Sequence, residues 1–349
     1  EPNATLLSLS QYTGVKLKSE CERTGMFEAE NTIGYNVVHK GQFVMNIMLA
    51  WNGSYSVSKY DGVISPAYCV FDFIADCNKD YYDFLLRLKS YSGAFKTLSK
   101  GLIDSRLRLY PNYFKTFPVL IPPLNEQNEI VTYLDYKVAK IDEYISIAEK
   151  KIAALEELKQ TIIAEAVTRG IRKDVPMKDS GVKWIGMIPE HWECRKLKFL
   201  TSSMQSGDNL TAIQIKETGK YPVYGGNGIR GYYDESNCNK QCIVIGRQGA
   251  LCGNVHIVKE PFWATDHAVV TYANENTDLD FLFYLAKAMN LNQYASQTAA
   301  QPGIAVSAIK NIYTCYPPLP EQQEIVTYIE AKAAKIDQLC QAERAQIEK

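Results

Sequence analysis

The chain has 349 residues, more than the roughly 250–300 at which single hydrophobic cores stop growing, so its length predicts two domains. With 46% hydrophobic and 22% charged residues, its composition is that of a folded protein and excludes a disordered one. The formal net charge of −1 argues, as a single figure, against a nucleic-acid partner.

The cysteines and the apolar runs restrict where the protein acts. Nine cysteines lie at irregular spacings without a CxxC pair, which is typical of reduced thiols rather than of a disulfide framework. No apolar run approaches the ~20 residues needed to span a bilayer. These features predict a cytoplasmic protein that does not span a membrane.

The first predicted domain covers residues 1–124. The apolar run at residues 43–48 predicts a strand that leads into a turn carrying Trp51 and Asn52, with Lys59 and Tyr60 shortly after. These four residues are candidates for binding, although a tryptophan in this position is also compatible with the core.

A basic stretch follows in the same domain, at residues 84–117. It contains a single acidic residue, Asp104, and five interleaved aromatic residues. Its seven basic residues are Arg87, Lys89, Lys96, Lys100, Arg106, Arg108 and Lys115. Such a stretch is typical of a surface that neutralises phosphates, and a solvated helix face is the alternative. The net charge of the chain therefore conceals a strongly basic region.

The chain contains one long internal repeat. Residues 122–142 (PPLNEQNEIVTYLDYKVAKID) recur as residues 317–337 (PPLPEQQEIVTYIEAKAAKID), with a constant offset of 195 and 15 of 21 positions identical. A solenoid repeats every ~20–50 residues, so this offset excludes one. The repeat predicts two copies of a domain, each followed by the same helical element.

The repeated element predicts a long helix. Its two prolines end the preceding domain, Asn125 is the predicted N-cap of the first copy, and Pro320 is the predicted first helical residue of the second. Glu126 and Glu321 then lie in the first turn, and the first helix runs to Arg169 with Gly170 as its C-cap. We expect a central helical spacer at residues 125–170 and a distal helix at residues 320–349.

The spacer helix carries an apolar stripe whose steps of three and four residues indicate a coiled-coil seam. The stripe consists of Ile141, Ile145, Ala148, Ile152, Leu155, Ile162 and Ala166. The second copy of the element supplies a partner helix, with Ile336 at the position of Ile141. The alternative is two unrelated amphipathic helices, each packed on its own domain.

After a linker at residues 171–183, a second domain covers residues 184–319. Its glycine-rich segment at residues 221–231 predicts a flexible loop with Asn227 and Arg230 exposed at the tip. Arg247 and Gln248 follow the apolar run 242–245, a predicted buried strand. Arginine pairs with guanine and glutamine with adenine in the major groove, whereas an internal contact is the alternative for Arg247.

Four features together carry a resemblance to a known family. They are the duplicated element, the segment 180–192 (SGVKWIGMIPEHW), the segment 61–68 (DGVISPAY), and the pair 246–255 and 264–267 (GRQGALCGNV and ATDH). The chain resembles the specificity (S) subunits of type I restriction–modification enzymes. The resemblance covers nearly the whole chain and is most specific in the duplicated element.

The resemblance implies a fold and a function. The fold is two α/β (α+β) target recognition domains separated by two long antiparallel, coiled-coil-like helices. The function is reading a bipartite site in double-stranded DNA, one half per domain. The implied partners are two modification (methyltransferase) subunits docked on the helices, and restriction subunits in the full complex. Relative to that family, the first domain lacks an opening segment and the distal helix is ~15 residues short, so we expect a chain incomplete at both ends.

A simple length comparison favours a measuring role for the spacer helix. Residues 143–169 would span roughly 40 Å at ~1.5 Å per residue, and half-sites one DNA turn apart lie ~34–36 Å from centre to centre. We therefore expect the spacer helix to set the number of unread base pairs between the half-sites.

Catalytic, cofactor and metal functions find little support in the sequence. An adenine methyltransferase needs an Asn or Asp before Pro-Pro, whereas here Ile121 and Tyr316 precede the two proline pairs. Cys238, Cys242 and Cys252 lack zinc-ligand spacing, and a pairing of His267 with Asp266 alone does not make a hydrolase. We expect a non-catalytic protein without cofactor or metal. A scaffold that docks partners without reading DNA is the alternative function.

Overall fold

The computed structural model describes residues 4–21, 32–103, 106–249, 251–296 and 302–349. Asp104 of the basic stretch and Ala250 of the resemblance segments lie outside these residues. The chain divides into two units, residues 1–143 and residues 144–349, with the boundary inside a long helix. Within the described ranges, no helix is both long enough and apolar enough to cross a membrane.

In the described residues of unit 1, seven strands and three short α-helices precede the long helix. The strands are β1 (Leu7–Ser10), β2 (Gly14–Leu17), β3 (Asn36–Val38), β4 (Phe43–Asn46), β5 (Tyr55–Val57), β6 (Gly62–Ile64) and β7 (Tyr68–Phe71). The helices are α1 (Lys79–Leu86), α2 (Lys89–Leu98) and α3 (Pro111–Phe114). The strands form the antiparallel sets β1–β2, β3–β6 and β5–β4–β7.

Aromatic side chains fill the core of unit 1. Phe43 of β4 stacks on Tyr55 and Phe114, with ring centroids 5.8 and 5.5 Å apart, and Phe95 of α2 packs edge-on against Tyr55 at 5.5 Å. The Tyr55 hydroxyl donates to the carbonyl of Leu86 at 2.6 Å. Burial raises the pKa of Tyr55 to about 12, so this donor keeps its proton at neutral pH.

Helix α4 (Leu124–Arg169) begins in unit 1 and continues into unit 2. As predicted, it ends at Arg169, and Gly170 adopts a left-handed conformation with φ of +75°. The predicted start is wrong by two residues: Asn125 is the second helical residue rather than the N-cap. Pro123 takes the capping position because its carbonyl accepts from the Gln127 N–H at 3.0 Å.

Unit 2 contains the remaining strands and helices. The strands are β8 (Met177–Asp179), β9 (Met187–Pro189), β10 (Glu193–Lys196), β11 (Thr201–Ser206), β12 (Tyr221–Gly225), β13 (Gly228–Tyr233), β14 (Cys242–Gly246), β15 (Val255–Val258), β16 (Trp263–Ala264), β17 (Ala268–Ala273) and β18 (Tyr313–Tyr316). The helices are α5 (Leu279–Ala288), α6 (Val306–Lys310) and α7 (Leu319–Ile347). Helix α7 also begins one residue early, so Pro320 is its second residue.

The strands of unit 2 form one four-stranded and several smaller sheets. The four-stranded sheet is antiparallel with the order β11–β17–β14–β15, and the order β13–β12–β16 gives a second sheet in which β12 and β16 are parallel. The pairs β10–β18 and β8–β9 are antiparallel. As predicted, the apolar run of β14 is a buried strand.

The main core of unit 2 joins the sheet to both long helices. Trp192 and Phe281 are fully buried in it, together with Ile325 and Ile329 of α7 and Val167 near the end of α4. Ion pairs between α4 and α7 show that the two helices are antiparallel. Lys159 of α4 pairs with Asp337 of α7 at 2.7 Å, and Lys151, earlier in α4, pairs with Glu343, later in α7. The predicted fold, mixed α and β domains with two long antiparallel helices, is confirmed.

Candidate nucleic-acid interface and helix pair

Four loops of unit 2 meet at one end of the sheet and bring the predicted readers together. The glycine-rich segment is the turn of the β12–β13 hairpin, and it packs on the end of β14. A Cβ placed on Gly226 would lie 2.5 Å from the Gln248 carbonyl oxygen, and one on Gly246 would lie 1.9 Å from that of Gly226. The segment is therefore a closely packed hairpin turn and not the flexible loop that its composition predicts, because only glycine allows this approach.

Several exposed side chains at this end of unit 2 are polar. Asn227, Arg230, Gln248 and Asn254 are all exposed, and the Asn254 amide donates to the Asn227 side-chain oxygen at 2.9 Å. Asn254 is absent from the predicted set, and only its place in the segment 246–255 could have drawn attention to it. We call Asn227, Arg230, Gln248 and Asn254 the polar loop cluster.

Arg247 differs from its neighbour in being half-buried and bonded within the protein. Its guanidinium donates to the Ser206 hydroxyl and the Asp266 carbonyl, both at 3.3 Å. Its backbone N–H donates to the His267 carbonyl at 2.8 Å. Arg247 thus ties three loops together behind the polar loop cluster, which is the internal role considered for it, and base reading by Arg247 stays a prediction.

The predicted residues of unit 1 fall into two sets. Trp51 lies in the turn after β4, where its indole donates to the Met48 carbonyl at 3.1 Å and the Lys96 ammonium lies 5.1 Å from its ring centroid. The Lys100 ammonium lies 5.0 Å from the Tyr113 ring centroid. Cation–π contacts of this kind hold a basic side chain on an aromatic face while it remains accessible.

The remaining candidates of unit 1 are spread over separate segments. Arg106 and Arg108 flank the buried Leu107, and Arg108 pairs with Lys100 through backbone hydrogen bonds of 2.9 Å in each direction. Asn52 and Lys59 are exposed, and Tyr60 is half-buried against a core cluster. These backbone hydrogen bonds place Lys100 and Arg108 opposite each other on neighbouring segments.

One basic residue of the stretch is a structural tie. Arg87 bonds the carbonyls of Gln11 and Tyr55 at 3.3 and 3.2 Å and the carboxylate of Asp83 at 3.3 Å. Its guanidinium connects three segments of unit 1, so the interpretation of the whole stretch as one phosphate-facing surface is wrong for Arg87. The sequence gives no signal for this, because the partners lie up to 76 residues away.

The apolar stripe of α4 is graded from exposed to buried. Ile141 is 57% exposed, and the stripe residues in unit 2 are less so: Ile145, Ile152, Leu155 and Ile162 are half-buried, and Ala148 and Ala166 are buried. Ile336 of α7 is only 6% exposed. Ile163 and Val167 are also buried, at 2% and 0% exposed, and lie outside the predicted stripe; the seam role of the stripe residues stays a prediction.

Burial disfavours the thiolate form of two of the cysteines weighed as zinc ligands. It raises the pKa of the Cys242 thiol to about 12 and also that of Cys238, so both remain protonated, whereas zinc binds thiolates. Among the described residues, no group of three or more His, Cys, Asp or Glu side chains could hold a metal ion. The Nε2 atom of His267 lies 3.8 Å from the Asp266 carboxylate.

Two buried glutamines at the starts of the long helices are not among the residues predicted from the sequence. Gln127 and Gln322 occupy the same position of the repeated element and are 1% and 0% exposed. Their side chains bond the preceding proline segment and the N-cap residue of a short helix in their own unit. The identity of both glutamines across the repeat was the available signal.

Part of the chain matches a known domain family, and curated proteins are similar to the chain. Residues 189–349 match the type I restriction modification DNA specificity domain. The specificity subunit of the type I restriction enzyme EcoprrI from Escherichia coli is 43% identical over 140 residues, which are 39% of this chain and 34% of that protein. The EcoKI specificity subunit of E. coli strain K12 is 23% identical over 311 residues, 81% of this chain and 63% of that protein.

Solved structures agree on the fold. One similar chain comes from a study of complex assembly and conformational transition of a type I restriction–modification system. Its TM-score is 0.66 at 15% identity, and the match covers 99% of this chain and 87% of that chain. The HsdS subunit of Thermoanaerobacter tengcongensis has a TM-score of 0.53 at 15% identity, covering 94% and 80%.

The chain is therefore similar to the specificity subunits of type I restriction–modification systems. Proteins of this family are non-catalytic, in keeping with the expectation from the missing methyltransferase motif. The chain spans 34% and 63% of the lengths of the two curated relatives it matches.

Proposed function

We propose that the chain reads a bipartite sequence in double-stranded DNA, one half-site per unit, and acts in the cytoplasm with two modification subunits and, in the full complex, restriction subunits. The modification subunits carry the methyltransferase chemistry and dock on the helices α4 and α7. Helix α4 sets the length of the unread spacer between the half-sites.

One observation carries this proposal: both units attach to their long helix in the same way but present different surfaces. The Gln127 and Gln322 attachments are equivalent, whereas residues 84–117 of unit 1 hold seven basic residues and residues 279–312 of unit 2 hold only Lys287 and Lys310. A constant attachment with a variable face suits a protein in which each copy reads different bases.

In unit 2, the polar loop cluster has the chemistry needed for direct readout. Arg230 offers a fork of donors for guanine, and Gln248 offers a donor and an acceptor for adenine. Both stand on a rigid base, because the hairpin turn is packed against β14 and Arg247 ties the neighbouring loops. A rigid base reduces the entropy lost when these side chains are ordered on DNA.

In unit 1, the cation–π pairs supply phosphate contacts. Lys96 on Trp51 and Lys100 on Tyr113 are exposed at the protein surface, with Asn52, Lys59, Tyr60, Arg106 and Arg108 as further candidates. Phosphate contacts fix register and orientation but carry no sequence information directly. We therefore assign to unit 1 a larger share of the electrostatic affinity.

The helices offer the surface for modification subunits. Apolar side chains remain exposed along the first part of α4, among them Tyr133 at 60%, Tyr136 at 59% and Ile141 at 57%. The seam residues Ile145, Ile152, Leu155, Ile162 and Ile336 hold the helix pair together beneath such a partner. Exposed aromatic and aliphatic side chains on one helix are typical of protein interfaces.

The test combines methylation mapping with binding measurements. Methylated sites are sequenced in cells that express the complete complex with wild-type chain, and the expected result is one bipartite motif with one spacer length. Gln248→Ala should change the specificity of one half-site only. Lys100→Ala should weaken binding to all duplexes alike and reduce the slope of log affinity against log salt by about one.

The second candidate function is a scaffold that docks modification subunits without reading DNA. The exposed apolar side chains on α4 favour it, since they need no DNA contact. If the complex binds duplexes without sequence preference, with and without modification subunits, the scaffold function holds and DNA reading fails.

A further inference from the structure

The buried glutamine of the repeated element makes the same two contacts in both units, and Gln322 adds a third by donating to the Asn276 carbonyl at 3.2 Å. In unit 1, the Gln127 side-chain oxygen accepts from the Asn78 backbone N–H at 2.9 Å, and its amide donates to the Pro122 carbonyl at 2.8 Å. In unit 2, the Gln322 oxygen accepts from the Asp278 N–H at 2.8 Å, and its amide donates to the Pro317 carbonyl at 2.9 Å. Two units with different sequences thus preserve one arrangement.

The residues that these glutamines hold are helix caps. Asn78 is the N-cap of α1, where its side chain accepts from the Asp80 and Tyr81 N–H groups. Asp278 is the N-cap of α5, where its side chain accepts from the Phe281 N–H. Each glutamine therefore joins the start of the long helix to the start of a short helix that belongs to the core of the same unit.

Apolar contacts continue the attachment one helical turn further on. Val131 of α4 is buried against Tyr81, Tyr82 and Leu85 of α1. Ile325 of α7 is buried in the cluster that contains Phe281 of α5. The glutamine fixes the first turn of the long helix and the apolar contact fixes the second, so together they determine the direction in which the helix leaves the unit.

We propose that Gln127 and Gln322 are positioning residues for bipartite recognition, each holding its unit at a set angle to its long helix and so restricting the spacer length that the protein accepts. This inference rests on the proposed function. Neither glutamine touches DNA; each acts through the helix that it fixes.

Because α4 is long, a small change in the angle at which it leaves unit 1 moves its far end by several ångströms. Helix α4 has 46 residues and is about 69 Å long at ~1.5 Å per residue. A tilt of about 5° at its first turn would move its far end by about 6 Å, whereas successive base pairs lie about 3.4 Å apart. A small loss of angular control thus suffices to admit a neighbouring spacer length.

The experiment maps methylated sites in cells that express the complete complex with Gln322→Leu or Gln127→Leu. Leucine has a similar size but leaves the cap N–H and the proline carbonyl without their partner. We expect both half-site sequences to persist, while the share of methylated sites with a spacer one base pair longer or shorter rises about tenfold, the discrimination that one buried hydrogen-bonded group supplies. Gln323→Leu is the matched control, because Gln323 is the next residue and is exposed; it should leave the spacer unchanged.

A second variant separates positioning from folding. Gln322→Glu keeps an oxygen acceptor for the Asp278 N–H and loses the donor to the Pro317 and Asn276 carbonyls. Its spacer distribution should therefore lie between those of wild type and Gln322→Leu. Lower methylation of every site with an unchanged spacer would overturn the inference, since that is the result of a purely structural role. Failure of every variant to yield a soluble complex would also overturn it, because a positioning residue is dispensable for folding. If the wild-type complex gives no bipartite motif, the proposed function itself fails.

Discussion

Ile141 and Ile336 test whether the two copies of the repeated helix are packed differently. Both are isoleucines at the same position of the repeat, but one is exposed and the other is buried. Ile336 is 6% exposed on α7, next to Asp337, which pairs with Lys159 of α4. Ile141 is 57% exposed on α4. We expect Ile336→Ala to destabilise unit 2 and Ile141→Ala to leave the stability of the chain nearly unchanged.

The expected magnitudes follow from burial and helix propensity. Replacing a buried isoleucine by alanine costs ~2–5 kcal/mol, and alanine returns ~0.4 kcal/mol through its higher helix propensity. The two helices can move together and partly fill the space left by the removed atoms. We therefore expect Ile336→Ala to lower the free energy of unfolding by about 2–3 kcal/mol. For a unit of this size the Tm should fall by roughly 5–10 °C. The Ile141→Ala change should stay within about 0.5 kcal/mol of wild type.

The assay is thermal and urea unfolding of the full chain, followed by circular dichroism. Equal Tm values for wild type and Ile336→Ala, or equal losses for the two variants, would refute the assignment of Ile336 to a closed helix seam. Under the proposed function, Ile141→Ala should instead weaken binding of the modification subunit, measured by calorimetry with the purified partner.

Three further predictions concern single positions. Gly93→Ala, in the middle of α2 with open space around its Cα, should stabilise unit 1 by about 0.5–1 kcal/mol in urea unfolding, because alanine loses less backbone entropy. Gly226→Ala should cost about 1–3 kcal/mol and weaken binding of cognate duplex, because its Cβ would lie 2.5 Å from the Gln248 carbonyl oxygen. Burial, with Lys287 nearby, lowers the pKa of His256 below its usual 6.5, so unit 2 should lose stability as the pH falls below about 6.5; His256→Phe should abolish this component of the Tm–pH profile.

Each of these three has an outcome that contradicts it. A lower Tm for Gly93→Ala would mean that α2 is not an ordinary helix at that position. Unchanged DNA binding by Gly226→Ala would separate the hairpin turn from the reading surface. For His256, the unfolded chain binds the proton more readily than the folded one, so stability must fall towards acid pH; a rise would contradict the burial of the ring.

Much of the architecture follows from local patterns in the sequence. The repeat at an offset of 195 predicts two copies of one attachment, the heptad steps from Ile145 to Ala166 predict a helix seam, and Gly170 marks the end of α4 because a left-handed residue is needed there. The apolar run of β14 predicts a buried strand. Each of these signals depends on neighbouring residues along the chain, so it can be read without the fold.

The tertiary structure alone decides which of the matching residues are buried and what they bond. Gln127 and Gln322 are identical in the repeat, but their partners Asn78 and Asp278 lie 200 residues apart, outside the ungapped register. Long-range contacts also make Arg87 and Arg247 ties between distant segments.

Ile141 and Ile336 illustrate the same limit on one residue type. Sequence makes them equivalent, since helix periodicity records which face a residue occupies but not what lies opposite that face. Burial depends on whether another helix packs there, which for Ile336 is the second half of α4. The amino-acid pattern thus determined the secondary-structure elements and their duplication. The packing of distant segments determined which copies of a repeated side chain are buried in the structure and which remain exposed to a partner.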